Sequence, residues 1–237
     1  MGEMFDMHCH IIPSVDDGSD SLEMSLKMLH IEYGAGVRHI ILTPHYRRGM
    51  FEKDRDTVEE RYEELKAAAA RELPGLQLYL GCEYHSDEEI VDRLRSDYRY
   101  RMNGGKHVLL EFSEGDPQKY IRERVYTLRS AGFLPAIAHI ERISSCNKDL
   151  DFVAELGNMG CLIQVNADSV IGKDGRQAKK FSRDLIKEDL LDLIGSDGHN
   201  LSSRPVRIGE CRNWIEKKAG PGYANWLFCQ RPAELLR

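Results

Sequence analysis

The chain has 237 residues, 41% hydrophobic and 30% charged, the range of an ordinary globular protein. Its net charge of −6 and the lack of any basic run exclude nucleic acid as the main partner. No apolar stretch approaches the ~20 residues of a membrane helix, and the opening MGEMFDMHCH has no basic region followed by an apolar run. Six scattered cysteines without a CxxC pair then read as reduced thiols, and a cytoplasmic location is expected.

Short apolar, β-branched runs alternate with helical stretches along the sequence. No linker divides it, so one domain over 1–237 is expected. The first predicted strand covers 3–8. Asp20-Ser21-Leu22-Glu23 reads as a capping box, opening a helix with Leu22, Leu26 and Leu29 on one face that stops at Gly34 or Gly36. A strand at 37–42 precedes a Glu-, Lys- and Ala-rich helix at 56–72, which Pro74-Gly75 ends. Strands follow at 76–80, 107–112, 134–138, 161–165 and 191–194, with helices at 117–130, 148–156, 177–188 and 204–217. Such alternation argues for a parallel sheet with helices outside. Seven strands point to a closed (β/α) barrel; an open doubly wound sheet carries the same signature.

The C-terminal ends of these strands hold the polar residues. They deliver His8 and His10, then His45, Glu83, Glu111 and His139, and finally Asp197 and His199. In α/β barrels one rim, formed by those strand ends, builds the site. His8 and His10 share one face of an extended chain, and Asp197 and His199 repeat that spacing. A carboxylate inside an apolar strand, as Glu111 is, is costly to bury without a cation. Only strand six, ending at Asn166, brings no metal-capable side chain. The DDG stretch adds Asp16 or Asp17, which spacing does not separate. Of the remaining histidines, His30, His39 and His107 lie away from the rim, and His85 is ambiguous. Cys9 is expected to face away from its histidine neighbours. Four carboxylates and five histidines exceed one ion's needs, so two or three bridged ions are expected. Nitrogen and oxygen donors without thiolate suit Mn²⁺, Fe, Zn²⁺ or Mg²⁺.

The stretches DMHCH, DDGS, TPH, GCE, LLEF, AHIER and GSDGH together resemble the polymerase and histidinol phosphatase (PHP) superfamily. Within it they look like the manganese-dependent bacterial protein-tyrosine phosphatases of capsule and exopolysaccharide clusters, the CpsB type. The resemblance runs from about Phe5 to Arg204. It implies a distorted, TIM-like (β/α)₇ barrel with a three-ion site. By matched motif, one ion would take His8, His10, Glu83 and Asp197. A second would share Glu83 and take Glu111 and His139. A third would take Asp17, His45 and His199. Arg142 and Arg204 match the phosphate-contacting arginines. Ile143 stands where the family often has tyrosine. The resemblance also implies a phosphotyrosine protein as partner, the tail of a bacterial tyrosine autokinase that controls polysaccharide export. Oligomerisation stays open.

The expected chemistry is phosphate-monoester hydrolysis by metal-activated water, with the arginines neutralising the phosphate oxygens. A cysteine-based phosphatase needs a C-x₅-R loop. The sixth residues after the cysteines are Val15, Glu88, Phe152, Ala167, Lys217 and Leu235, and none is arginine. Arg47 and Arg48, in a loop reaching to about Lys53, have two equal readings: they steer an acidic phosphotyrosine tail, or they are ordinary surface charge. Two other readings stay open: a phosphoesterase acting on a small metabolite such as histidinol phosphate or on nucleic-acid ends, and a non-catalytic metal-binding regulator.

Overall fold

The computed structural model describes residues 2–236. Among these residues nine strands form, every pairing between them parallel. They are β1 (Met4–Cys9), β2 (Val37–Leu42), β3 (His45–Tyr46), β4 (Gln77–Leu80), β5 (Glu83–His85), β6 (His107–Glu111), β7 (Leu134–Ile137), β8 (Leu162–Asn166) and β9 (Leu193–Gly195). They fall into two sheets, in the orders β1-β2-β4 and β3-β5-β6-β7-β8-β9.

The split between the sheets has a local cause. Pro44 has no N–H to donate, so β2 breaks before β3; β4 breaks before β5 at Gly81-Cys82. Hydrogen bonds nevertheless continue the pairing on each side of the break. Gly81 N donates to Leu42 O at 2.8 Å, and Glu83 N to Pro44 O at 3.2 Å. On the other side, Asp197 N donates to His8 O at 2.8 Å and His10 N to Gly198 O at 2.9 Å. The end of β9 is thereby tied to the end of β1. The architecture is an α/β fold whose parallel sheet curves into a half-barrel.

Helices α1 (Leu22–Gly34), α2 (Arg55–Glu72), α3 (Ile90–Ser96), α4 (Gln118–Ser130), α5 (Leu150–Asn158), α6 (Ala167–Ile171), α7 (Arg176–Lys187), α8 (Ile208–Ala219), α9 (Pro221–Asn225) and α10 (Arg231–Leu235) complete the chain. α1 packs on β2, α2 on β4, α4 on β7 and α5 on β8. The cap of α1 is Ser21, whose hydroxyl accepts from Met24 N at 3.3 Å. It sits one residue later than the box read from the sequence. α5 starts two residues later than expected, where Asp149 accepts from Phe152 N at 2.9 Å. α8 starts at Ile208 rather than 204, leaving Arg204 in a loop.

The sequence reading missed α3, α6, α9 and α10. The first two have too few turns to show a period. Pro221 and Pro232 both sit in the first turn of a helix, where proline loses no hydrogen bond. One core cluster runs from Met4 to Cys229. A smaller one gathers Phe5, Met7, Ile41, Leu109, Ala136 and Leu193 from the strands, with Leu235 of α10.

Candidate metal centre

All of the rim residues named from the sequence converge, though they span almost the whole chain. His8 and His10 bring their Nε2 atoms to 3.1 Å of each other. Glu83 Oε2 lies 3.1 Å from His8 Nε2 and 3.2 Å from His10 Nε2. Asp197 Oδ1 stands 3.6 and 3.4 Å from the same two nitrogens. These four residues, all buried, form one group able to hold a cation. His45, Glu83 and Glu111 form a second group, and His10, His45 and His199 a third.

The second group differs in detail from the expected set. His45 Nδ1 lies 3.0 Å from Glu83 Oε2 and 4.0 Å from Glu111 Oε2. His139 Nε2 points to the other side of the same carboxylate, 2.7 Å from Glu83 Oε1 and 3.9 Å from Glu111 Oε1. Glu83 therefore lies between them. Asp17 Oδ1 faces the third group, 3.5 Å from His45 Nε2 and 3.6 Å from His199 Nε2.

The DDG turn gives its two aspartates different neighbours. Gly18 lies so close to the His10 backbone that an added Cβ would meet His10 O at 2.2 Å. The turn sends the two carboxylates different ways. Asp16 is occupied: it accepts from Gly18 N at 3.0 Å and His45 N at 2.9 Å, and its Oδ2 lies 2.8 Å from His10 Nδ1. It orients a ring whose other nitrogen faces the centre, the outer contact typical of a ligating histidine. Asp17 is the one left facing His45 and His199.

Two site residues adopt left-handed backbone angles that side chains rarely take. His139 has φ 32° and Asp197 φ 52°. Such strain persists where the surrounding structure over-determines it, and it concentrates at functional sites. Gly195, just ahead of Asp197, is packed so tightly on β1 that an added Cβ would meet His8 Cβ at 2.4 Å.

The electrostatics call for positive charge. Burial raises the carboxyls of Glu83 and Asp197, but neighbouring histidines outweigh it, helped at Asp197 by Arg142 and Arg204. Both carboxyls end well below their ordinary range. Burial and the charge of Glu83 push Glu111 the other way, upward. Burial lowers His199 to about 4, so its ring is neutral and its lone pair free to bind. Buried atoms Glu83 Oε2, Asp197 Oδ1, Glu111 Oε2, His45 Nδ1 and His199 Nε2 have no hydrogen-bond partner. Unsatisfied buried polar atoms are costly, and here they gather at one place. Their hard and borderline donor set fits divalent cations.

Asp197 joins this centre to the arginines. Its Oδ1 faces the histidines, while its Oδ2 takes Arg142 Nη1 and Arg204 Nη2, each at 2.8 Å. Asn166 Nδ2 donates to the same oxygen at 2.8 Å. The strand that seemed to deliver nothing thus supplies an amide beside the centre. Gln164, also missed, accepts from His139 N at 2.7 Å through Oε1, which lies 3.3 Å from His8 Nδ1. Nothing in the sequence marks either residue except its place at the end of a strand.

The remaining histidines stay out. His30 pairs with Glu72, His39 with Glu3, and His85 Nε2 lies 3.1 Å from Ser113 Oγ. Cys9 turns away, toward Ile41 O. Arg48 is held by Glu89 at 2.7 Å, which weakens its part in steering. Phe51, from the same loop, stacks on the His45 ring at 5.0 Å.

The family model for capsular polysaccharide synthesis proteins of the CpsB/CapC type matches residues 4–237. This chain belongs to the CpsB/CapC family. It is 32% identical over 239 residues to the tyrosine-protein phosphatase CpsB of Streptococcus agalactiae serotype III (strain NEM316), covering 99% of this chain and 98% of that one. It is 30% identical over 217 residues to the tyrosine-protein phosphatase YwqE of Bacillus subtilis (strain 168), covering 92% and 85%. A solved structure from work on YwqE and the Streptococcus pneumoniae CpsB, described as unique metal-dependent tyrosine phosphatases, superposes with a TM-score of 0.89. Identity there is 30%, over 99% of this chain and 94% of that one. A phosphotriesterase homology protein from Escherichia coli shares only the fold, at 13% identity and a TM-score of 0.67 over 100% and 99%. This CpsB/CapC member is thus matched over nearly its full length by proteins named for one activity.

Proposed function

We propose that this protein is a metal-dependent protein-tyrosine phosphatase, which hydrolyses phosphotyrosine in proteins that serve capsular polysaccharide synthesis. The observation that carries the reading is Asp197. Its side chain is shared by a buried, unsatisfied histidine–carboxylate cluster and by two arginines. A phosphate monoester needs both: cations for the reacting oxygen, and fixed positive charge for the rest.

The family resemblance suggests the ligand set, and the clustering of donors supports it. His8, His10, Glu83 and Asp197 would hold one ion. Glu83, Glu111 and His139, with His45 alongside, would hold a second. Asp17, His45 and His199 would hold a third. Manganese is the metal the family resemblance favours, with Fe, Zn²⁺ or Mg²⁺ as substitutes. When bound, such ions supply Lewis acidity and a water far more acidic than in bulk. The protein's own residues do the rest. Arg142 and Arg204 present planar forks that grip phosphate oxygens and fix the ester. Asp197, itself held by Asn166, keeps both forks in place before substrate arrives. The leaving group is a tyrosinate with a pKa of about 10, which departs with little help from an acid.

A thiol mechanism has no candidate. All six cysteines are buried. Burial pushes Cys82 up to about 12 and Cys146 to about 11, and the other four also upward. None is a thiolate at neutral pH.

The chain is read as one domain, supported by a main core cluster that runs from Met4 to Cys229. Counting β2 with β3, and β4 with β5, as single staves gives the seven of a distorted (β/α)₇ barrel. No helix among the described residues is long and apolar enough to cross a membrane, which agrees with work in the cytoplasm on the tail of a tyrosine autokinase. The deciding experiment compares rates on a phosphotyrosine peptide, histidinol phosphate and a 3′-phosphorylated oligonucleotide, with the metal content measured. Preference for the peptide is expected. Preference for either other substrate, or no turnover with metal loaded, would replace this reading.

A further inference from the structure

A groove leaves the metal centre past Arg142 and widens between α5 and α7. Three neighbouring hollows mark its course, each sharing lining residues with the next. The first, beside Asp197, Arg142 and Arg204, holds about 30 Å³. The second, about 450 Å³, shares Arg142 and Asp174 with it. The third, about 470 Å³, shares Asn147 and Gln177 with the second. Gln177 Nε2 donates to Asn147 Oδ1 at 2.7 Å where they join.

The far hollow has a consistent chemistry. Leu150 and buried Phe181 give it an apolar floor. Lys148 and Arg176 stand on its rim, and neither makes an ion pair among the described residues. Lys180 is there too, but Asp184 neutralises it at 2.7 Å. Arg176 opens α7, whose N-terminus has no side-chain cap and no acidic residue in its first turn. The partial positive charge of that helix end therefore adds to the two free cations. An apolar floor under unpaired positive charge suits a side chain with an anionic group on an apolar stem. The volume is that of a small-ligand site.

The middle hollow is different. Glu114 and Asp174 line it beside Arg142. An anionic side chain close to the reacting residue would meet these carboxylates.

We propose that this far hollow is a second recognition site for the substrate chain, taking an anionic residue at least two positions away from the phosphotyrosine. The inference rests on the phosphatase reading and extends it to sequence preference. Glutamate and a second phosphotyrosine share the chemistry the site demands, and the test separates them.

The test uses the metal-loaded full chain and phosphotyrosine peptides in a neutral alanine background. One glutamate, or one second phosphotyrosine, is moved through the positions from one to six residues on either side. At one or more positions beyond the first, kcat/KM should rise about fivefold over the all-alanine peptide, through KM, the scale of one or two partly screened charge pairs. Glutamate directly beside the phosphotyrosine should give no gain. The K148E/R176E variant should lose the gain while hydrolysing p-nitrophenyl phosphate at the parent rate. That rate also shows that the variant folds; should it fall, K148A/R176A takes its place. A gain only with the second phosphotyrosine identifies the ligand as an aryl phosphate; a gain with both identifies a general anion site. A flat profile across all positions, or a gain that survives in the variant, overturns the proposal. Wild-type protein that hydrolyses the alanine peptide with a flat profile sinks only this inference. Protein that leaves every phosphotyrosine peptide intact sinks the phosphatase reading, and the second site with it.

Discussion

At Asp197, one carboxylate links the two halves of the site. Its Oδ1 faces His8 and His10, and its Oδ2 holds Arg142 and Arg204. Asp197→Asn puts an amide where the cation centre and the arginines both need negative charge. The expected loss in kcat/KM on a phosphotyrosine peptide is about 10³-fold, at the upper end for a single charge-stabilising group, and elemental analysis should show less metal per chain. Asp16→Asn should behave differently, because Asp16 acts on His10 from behind. Metal affinity should fall about 10- to 100-fold, and activity should return with excess metal. Equal and unrecoverable losses in both variants would contradict the separation of roles. Residues of this kind vary in how readable they are. His8, His10, Glu83, Glu111 and His139 are each weak signals alone, and they become legible as a set because they recur at the ends of successive strands. Asp16 and Asp17 did not separate, since only the close approach of Gly18 to His10 decides which carboxylate turns where. Asn166 and Gln164 were invisible because amides carry no signal of charge or metal preference.

On the scale of single elements, α1 carries a local conflict. Glu32 is buried on the inner face of that helix, and neither of its oxygens has a hydrogen-bond partner. Burial, aided by the nearby charge of Asp6, holds its proton well above the ordinary carboxylate value of 4.5. The sign of the linkage follows. A raised folded-state value contributes stability that is full below the unfolded value, and is lost as pH rises toward the folded one. Glu32→Met keeps the volume and removes the group. The variant and parent should therefore melt at nearly the same temperature below about pH 4.5, apart from packing differences. The variant's advantage should grow with pH and reach several degrees by pH 8. Melting curves from pH 4 to 8 check this; a constant difference would mean that Glu32 does not titrate as its burial requires. Strand and helix order was legible because apolar runs and helical periods alternate over most of the chain. The boundaries slipped where a single cap decided them, as Ser21 did for α1 and Asp149 for α5. Arg204 was read into a helix, but Asn200 turns the chain there: its Oδ1 accepts from Arg204 N at 3.1 Å, so the arginine sits in a loop aimed at Asp197.

Over the whole molecule, the centre exists only when distant segments meet. His8 and Asp197 stand far apart in the sequence, and the β1–β9 contact brings them together. The unfolded chain has no such site, so any ion bound at the centre adds directly to folding stability. At a hundred times its Kd, one ion contributes about 2.7 kcal/mol, and in a chain of this length each kcal/mol moves the melting temperature by roughly 2–4 °C. Chelation should therefore lower the melting temperature by about 5–10 °C and abolish phosphotyrosine hydrolysis together, and Mn²⁺ should restore both. Alkylating reagents applied to the native protein should do neither, because every cysteine is buried and every thiol is held protonated. The two treatments discriminate between architectures. Convergent histidines and carboxylates make folding and catalysis depend on the same ions, whereas a thiol enzyme would be indifferent to chelator and sensitive to alkylation. A melting temperature untouched by chelation, with activity lost to alkylation, would mean that the cluster around Glu83 binds no ion and that the reaction runs elsewhere.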